Sequence, residues 1–176
     1  RTLQYCSDSF WKWDKTHYIE LNENEVRHVV YRFLMDAKKL TIAGHLENFN
    51  PNMNKVSQVI DALRSVCYQR HHPANGPIWL GGRKEPDPKH IISFRNGLLN
   101  MLDWLENPNT QITPHSPLFL NINSLTFDFD LYAQEPKEWL QFLNAIWPND
   151  QESQQTLQEW FGYLLIQDTR LHKILL

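Results

Sequence analysis

Apolar residues recur along this chain at two different spacings, and each change of spacing marks the edge of an element. Phe10, Trp11 and Trp13, then Tyr18, Ile19 and Leu21, form two short aromatic or β-branched runs around Asp14-Lys15-Thr16, which predicts a β-hairpin with a polar turn. Beyond Leu21 the spacing lengthens to three and four. Val26, Val29, Val30, Phe33 and Leu34 then make one stripe of a helix predicted over residues 23–39, capped by Asn22 or Asn24. Glu23 and Glu25 fall in its first turn and Lys38 and Lys39 in its last, the placement that the helix dipole favours. Gly44, Asn48, Asn50 and Pro51 predict a loop over 41–51. A second helix is predicted from Asn52 or Asn54 to about Gln69, with Val56, Val59, Ile60, Leu63 and Val66 inward and Lys55, Arg64 and Arg70 outward.

The second half carries weaker periodicity and stronger punctuation. Residues 77–80 read as a short strand and the Gly- and Pro-rich 81–88 as a surface connector. Ile91-Ile92-Ser93-Phe94 and Gly97-Leu98-Leu99 flank Asn96-Gly97, a strong hairpin signal, and residues 102–107 suit a helical turn. Trp139, Leu140, Leu143 and Ile146 predict a short amphipathic helix that stops before Pro148. From Gln151 onward a closing helix buries Leu157, Trp160, Phe161, Leu164 and Leu165, and Lys173-Ile174-Leu175-Leu176 suits the start of a core strand. The elements add up to an α+β fold, helix-dominated with short β-hairpins, divisible into lobes at 1–75 and 76–170. Its helix pair and hairpin are compatible with a winged-helix-like N-terminal part.

Composition narrows the class. At 176 residues and 41% hydrophobic the chain can bury the core of one domain. No apolar run approaches eighteen residues and the first residues lack a secretory layout, so a soluble cytoplasmic protein without membrane contact is expected. Cys6 and Cys67 lie far apart without C-x-x-C spacing, which favours reduced thiols over a disulfide or zinc pair. The net charge of −3 hides an asymmetry. Residues 27–95 hold eleven Lys and Arg against five acids, a net of +6, whereas residues 96–176 net −7. Such a split makes one face suited to a polyanion and another suited to a neighbouring subunit, or two ordinarily solvated halves.

Candidate chemistry is sparse. His71-His72 precede Pro73 with no further ligand at metal spacing, and so read as a mobile surface pair ending a helix; no metal is expected. Gly81-Gly82 lacks the Lys-Ser/Thr ending of a phosphate loop. Asp128 and Asp130, two apart, would share one face of a strand and are the candidate metal pair of a nuclease or nucleotidyl transferase. The aromatics of residues 10–18 are either core or a stacking platform for single-stranded bases. Arg64, Arg70, Arg83, Lys84 and Arg95 are the candidate phosphate contacts.

Several stretches together resemble one family. The helix Leu157-Gln158-Glu159-Trp160-Phe161-Gly162-Tyr163-Leu164, the turn Asp168-Thr169-Arg170 and Lys173 to Leu176 resemble the junction in phage, plasmid and poxvirus-type primase-helicases where a helicase-associated N-terminal-like domain meets a superfamily 3 ATPase. Phe94-Arg95-Asn96-Gly97, Thr113-Pro114 and Leu125-Thr126-Phe127-Asp128-Phe129-Asp130 resemble that domain's internal signatures, with Phe127 and Phe129 in place of the usual tyrosines. The resemblance implies a helicase-associated domain over residues 1–176, with 171–176 beginning the first strand of an ATPase. It further implies a non-catalytic module that handles single-stranded or forked DNA and assembles as a homo-oligomer, with no cofactor here and with ATP and Mg in the ATPase. The alternatives are a protein-interaction domain working through the acidic C-terminal helices, and the metal-dependent enzyme built on Asp128 and Asp130.

Overall fold

The structure, a computed structural model, describes residues 2–83 and 86–165. It opens on an antiparallel meander of β1 (Leu3–Cys6), β2 (Ser9–Trp13) and β3 (Tyr18–Leu21). The hairpin expected over residues 10–21 is present, with Phe10 opposite Leu21 and Trp13 opposite Tyr18. β1 adds a third strand, joined through Ser7 and Asp8, whose φ of 48° and 63° suit a two-residue hairpin turn. Strand alternation sorts the sheet's side chains. Tyr5, Phe10 and Leu21 face one way, while Cys6, Trp11 and Tyr18 face the other. Phe10, Trp11 and Tyr18 are all buried, so the ribbon's aromatics are core and not a stacking platform.

On the first face lie two helices. In α1 (Glu23–Asp36) the Asn22 side chain accepts from the Glu25 N–H at 3.0 Å and the Glu25 carboxylate accepts from the Asn22 N–H at 2.8 Å, a reciprocal cap. The helix stops short of residue 39. Lys38 and Lys39 belong to β4 (Lys38–Leu40), which pairs with β5 (Leu46–Asn48) where a loop was expected. The Phe49 N–H donates to the Ala37 carbonyl at 2.9 Å and so draws the chain into that ladder. The buried stripe of α1 is also narrower than predicted: Val26, Val30 and Leu34 are buried, whereas Val29 and Phe33 are exposed. In α2 (Met53–Val66) Asn52 caps the Lys55 N–H, and Val56 and Ile60 close the core. This helix ends before Gln69 because β1 takes the next residues. The Tyr5 N–H donates to the Cys67 carbonyl, and the Gln69 N–H to the Tyr5 carbonyl, both at 2.8 Å. The helix pair and the hairpin that suggested a winged helix are both present, that hairpin (β2–β3) preceding both helices and the unpredicted β4–β5 pair lying between them in the chain.

The sheet's second face is covered by β6 (Ile78–Trp79) paired with β9 (Phe119–Leu120). Leu120 is fully buried against Trp11, Tyr18 and Cys6. Next to this pair stand the hairpin of β7 (Ile91–Phe94) and β8 (Gly97–Asn100), and the short α3 (Met101–Glu106). α4 (Lys137–Ile146) and α5 (Gln151–Leu164) close the described chain, with the Trp139 ring between Phe142 and Phe161 at 5.6 and 5.7 Å. The stripe expected to be buried on the closing helix is not, since Leu157 and Trp160 are only half-buried and Phe161, Leu164 and Leu165 are exposed. The architecture is α+β as predicted. Cys6 and Cys67 are buried free thiols, and among the described residues no helix is long and apolar enough to cross a membrane. Lys84 and the strand expected at 171–176 lie outside the described residues.

Candidate nucleic-acid interface

Three of the stretches singled out in the sequence converge on one turn. The β7–β8 register sets Phe94 opposite Gly97, so Arg95 and Asn96 make the turn, and Gly97 rather than Asn96 has positive φ. Gly97 is required by its neighbour. A Cβ there would lie 2.7 Å from the Thr113 carbonyl oxygen and 2.9 Å from Ile112 Cδ1. Thr113 in turn pairs with Leu98, each N–H donating to the other's carbonyl at 2.8 Å. The Asn-Gly and Thr-Pro motifs are therefore two halves of a single backbone contact.

The Phe-Asp-Phe-Asp stretch straps the other side of the turn. The Asn96 side chain accepts from the Phe129 N–H at 2.9 Å and donates to the Phe129 carbonyl at 3.0 Å. Arg95 donates through Nε and Nη2 to the two oxygens of Asp128, at 2.8 and 2.7 Å, and its own N–H donates to the Phe127 carbonyl. Phe94 packs against the rings of Phe127 and Phe129 at 5.8 and 5.2 Å. The guanidinium beside it holds the Asp128 carboxyl below its usual range, and the same bond raises Arg95.

This geometry corrects the metal-pair expectation. Residues 125–130 form no strand, so the shared face does not exist. Asp128 is occupied by Arg95, and Asp130 Oδ1 accepts from the Tyr132 N–H at 2.9 Å. Among the described residues no group of three or more His, Cys, Asp and Glu is disposed to hold a metal. The two histidines each make local contacts. His71 Nε2 is 2.8 Å from the Gly76 carbonyl, and His72 Nδ1 accepts from the Ala74 N–H while its ring meets Trp11 edge-on.

The candidate phosphate contacts occupy two regions. Arg64, on α2, lies over the Tyr5 ring at 5.7 Å and reaches Glu23 at 3.6 Å, and Arg70 is exposed just past the residues that pair with β1. Arg83 and Arg95 lie in the second half. The Arg83 guanidinium stacks over Trp79 at 4.5 Å, while the Trp79 indole N–H donates to the Pro86 carbonyl at 2.7 Å. Both side chains line a cleft of about 590 Å³, together with Ile91 and Leu98 and the polar Asn100, Asp103, Gln111 and Ser116. A cation stacked beside polar donors and acceptors can receive a base or a phosphate. Arg95 is committed to Asp128 and offers a phosphate less.

The β4–β5 hairpin is the feature that sequence reasoning missed. All six of its strand residues are exposed, and Ile42 at its tip is 110% exposed. The alternation Lys38-Lys39-Leu40-Thr41-Ile42 before Gly44 was the available signal.

The family model described as D5 N terminal like matches residues 1–148. No curated protein and no solved structure matches the chain. The matched region takes in the meander, the helix pair, the strapped turn and α4.

Proposed function

The chain belongs to the D5 N terminal like family, the N-terminal domain of D5-like primase-helicases of phage and poxviruses, and from that premise we propose that it is a non-catalytic DNA-handling and assembly module. In this reading it serves a phage or plasmid replication protein in the cytoplasm, holding single-stranded or forked DNA beside a hexameric ATPase. ATP and Mg²⁺ belong to that ATPase, and this region carries no cofactor of its own. The observation that carries the proposal is the family match over residues 1–148. The DNA role is supported by the exposed Arg70 and by Arg83 stacked over Trp79 in the lining of a cleft of mixed polarity.

Fluorescence anisotropy with single-stranded and forked DNA at low and moderate salt tests it. Binding should weaken steeply as salt rises, and Arg70→Glu with Arg83→Glu should flatten that dependence by about one phosphate contact per residue. No binding at low salt, or an unchanged salt slope in the double variant, would remove the DNA role. A protein-docking reading is favoured by a different observation, the exposed Phe142, Phe161 and Leu164 beside the acidic Glu138, Glu152 and Glu159 on α4 and α5. It predicts self-association that DNA does not affect, read by sedimentation velocity.

A further inference from the structure

Among the described residues the β4–β5 hairpin leaves its apolar side chains exposed. Leu40 and Leu46 face each other across the ladder on one side and are 70% and 67% exposed, with Ile42 beyond them. Its turn carries hydrogen bonds of its own. The Thr41 N–H donates to the His45 carbonyl at 2.8 Å, the Gly44 N–H to the Thr41 carbonyl at 2.9 Å and the His45 N–H to Thr41 Oγ1 at 3.1 Å. At the base Phe49 packs against the Phe10, Val26 and Ile60 core, under the Lys55 ammonium at 4.9 Å.

We propose that this hairpin is a wedge for nucleic acid: Ile42 inserts between bases where single-stranded and duplex DNA meet, and Lys38 and Lys39 contact the flanking phosphates. The inference rests on the DNA-handling reading and names the structure that the module engages. Three observations favour a nucleic acid over a protein. The hairpin lies in the segment of net charge +6 and itself carries Lys38 and Lys39 against Glu47 alone, with Lys39 and Glu47 only loosely paired at 3.5 Å. Its apolar group is three aliphatic side chains, far short of the roughly 20–30 residues a stable protein interface needs on each side. A wedge that unstacks a base step needs only one. The reach also fits, since four residues from Lys38 to Ile42 at roughly 3.3 Å each project about 13 Å, more than the depth of either groove.

The test uses this chain with a fork carrying 2-aminopurine at the first paired position. Binding of the wild-type chain should raise the fluorescence as the junction base unstacks. Ile42→Ser, at a fully exposed position that the fold does not use, should cut that rise at least threefold while changing DNA affinity less than threefold. Ile42→Leu should restore it. Lys38→Ala with Lys39→Ala should instead weaken affinity and lower the salt dependence. A rise unchanged by Ile42→Ser, or DNA binding with no rise at all, overturns the wedge and leaves the DNA-handling reading standing. Absence of any binding overturns both. Loss of self-association in Ile42→Ser with an unchanged fork signal overturns the wedge and assigns the hairpin to a contact between copies of the chain.

Discussion

Gly97→Ala isolates the contact on which the signature turn depends. The added Cβ would meet the Thr113 carbonyl oxygen at 2.7 Å, where ordinary contact begins at 3.4 Å, so the Thr113 backbone must retreat by about 0.7 Å. That oxygen accepts the Leu98 N–H at 2.8 Å, and the reciprocal bond has the same length. A retreat of this size takes both bonds past useful hydrogen-bonding distance, a loss of about 1 kcal/mol each. The methyl also crowds Ile112, and overpacking a filled site costs about 1–3 kcal/mol when it cannot relax. Partial relaxation trades one loss against the other, so the net destabilisation should be about 2–4 kcal/mol. At roughly 2–4 °C per kcal/mol for a chain of this size, the thermal midpoint should fall by about 10 °C. Urea unfolding followed by tryptophan fluorescence measures the difference. Gly162→Ala is the control, because nothing lies within 4 Å of a Cβ there and the position is helical. It should be neutral or stabilising by up to about 1 kcal/mol. A Gly97→Ala protein within about 0.5 kcal/mol of wild type would show that the Asn-Gly and Thr-Pro segments are not in close backbone contact.

Three further outcomes follow from other contacts. Leu143→Ala removes a fully buried side chain of α4 and should cost about 2–5 kcal/mol in the same urea experiment. Tyr18→Phe deletes the hydroxyl that donates to the Pro117 carbonyl at 2.6 Å and should cost about 1–3 kcal/mol, since that carbonyl is left short of a partner. Asp128 has its folded pKa lowered by the Arg95 hydrogen bond, so its stabilisation is complete above the ordinary carboxylate range and is lost as pH falls through the lowered value. The midpoint difference between wild type and Arg95→Met should accordingly be largest near neutrality and shrink on acidification, and a difference that stays constant down to about pH 2 would refute this account.

What could be read from the sequence was what depends on neighbours along the chain. The Asn22–Glu25 cap, the Asn52 cap, the Phe10–Leu21 hairpin and the stripe of Val56 and Ile60 all follow from spacings of two, three and four. The ends of both long helices were misplaced for one reason: distant strands claimed the residues. Lys38 and Lys39 were drawn into a ladder with Glu47 and Asn48, and Cys67 and Gln69 into hydrogen bonds with Tyr5, some sixty residues earlier. Asp128 and Asp130 alternate as strand residues do, yet residues 125–130 have no partner strand, because their polar groups are spent on Arg95 and Asn96. The Arg83–Trp79 stack and the exposed state of the hairpin were equally hidden, since burial depends on how elements meet and not on composition.

The central sheet lies between the two proposed contact regions and packs toward both. In β2, Phe10 belongs to the helix-side core and its immediate neighbour Trp11 to the core shared with Leu120 and Ile78. A strand cannot move one of these residues without the other, because successive side chains project to opposite faces of one stiff backbone. The sheet also reaches the signature turn directly. Trp13 meets His115 at 6.5 Å, His115 Nε2 is 3.3 Å from the Arg95 carbonyl, and the Ser93 hydroxyl is 3.4 Å from the Thr16 carbonyl. The hairpin is tied to the same sheet through Phe49, packed on the Phe10 core. A chain of neighbouring contacts therefore runs from the base of the hairpin, through the sheet, to the strapped turn. The two halves of the chain thus share one sheet, with a core packed on each of its faces.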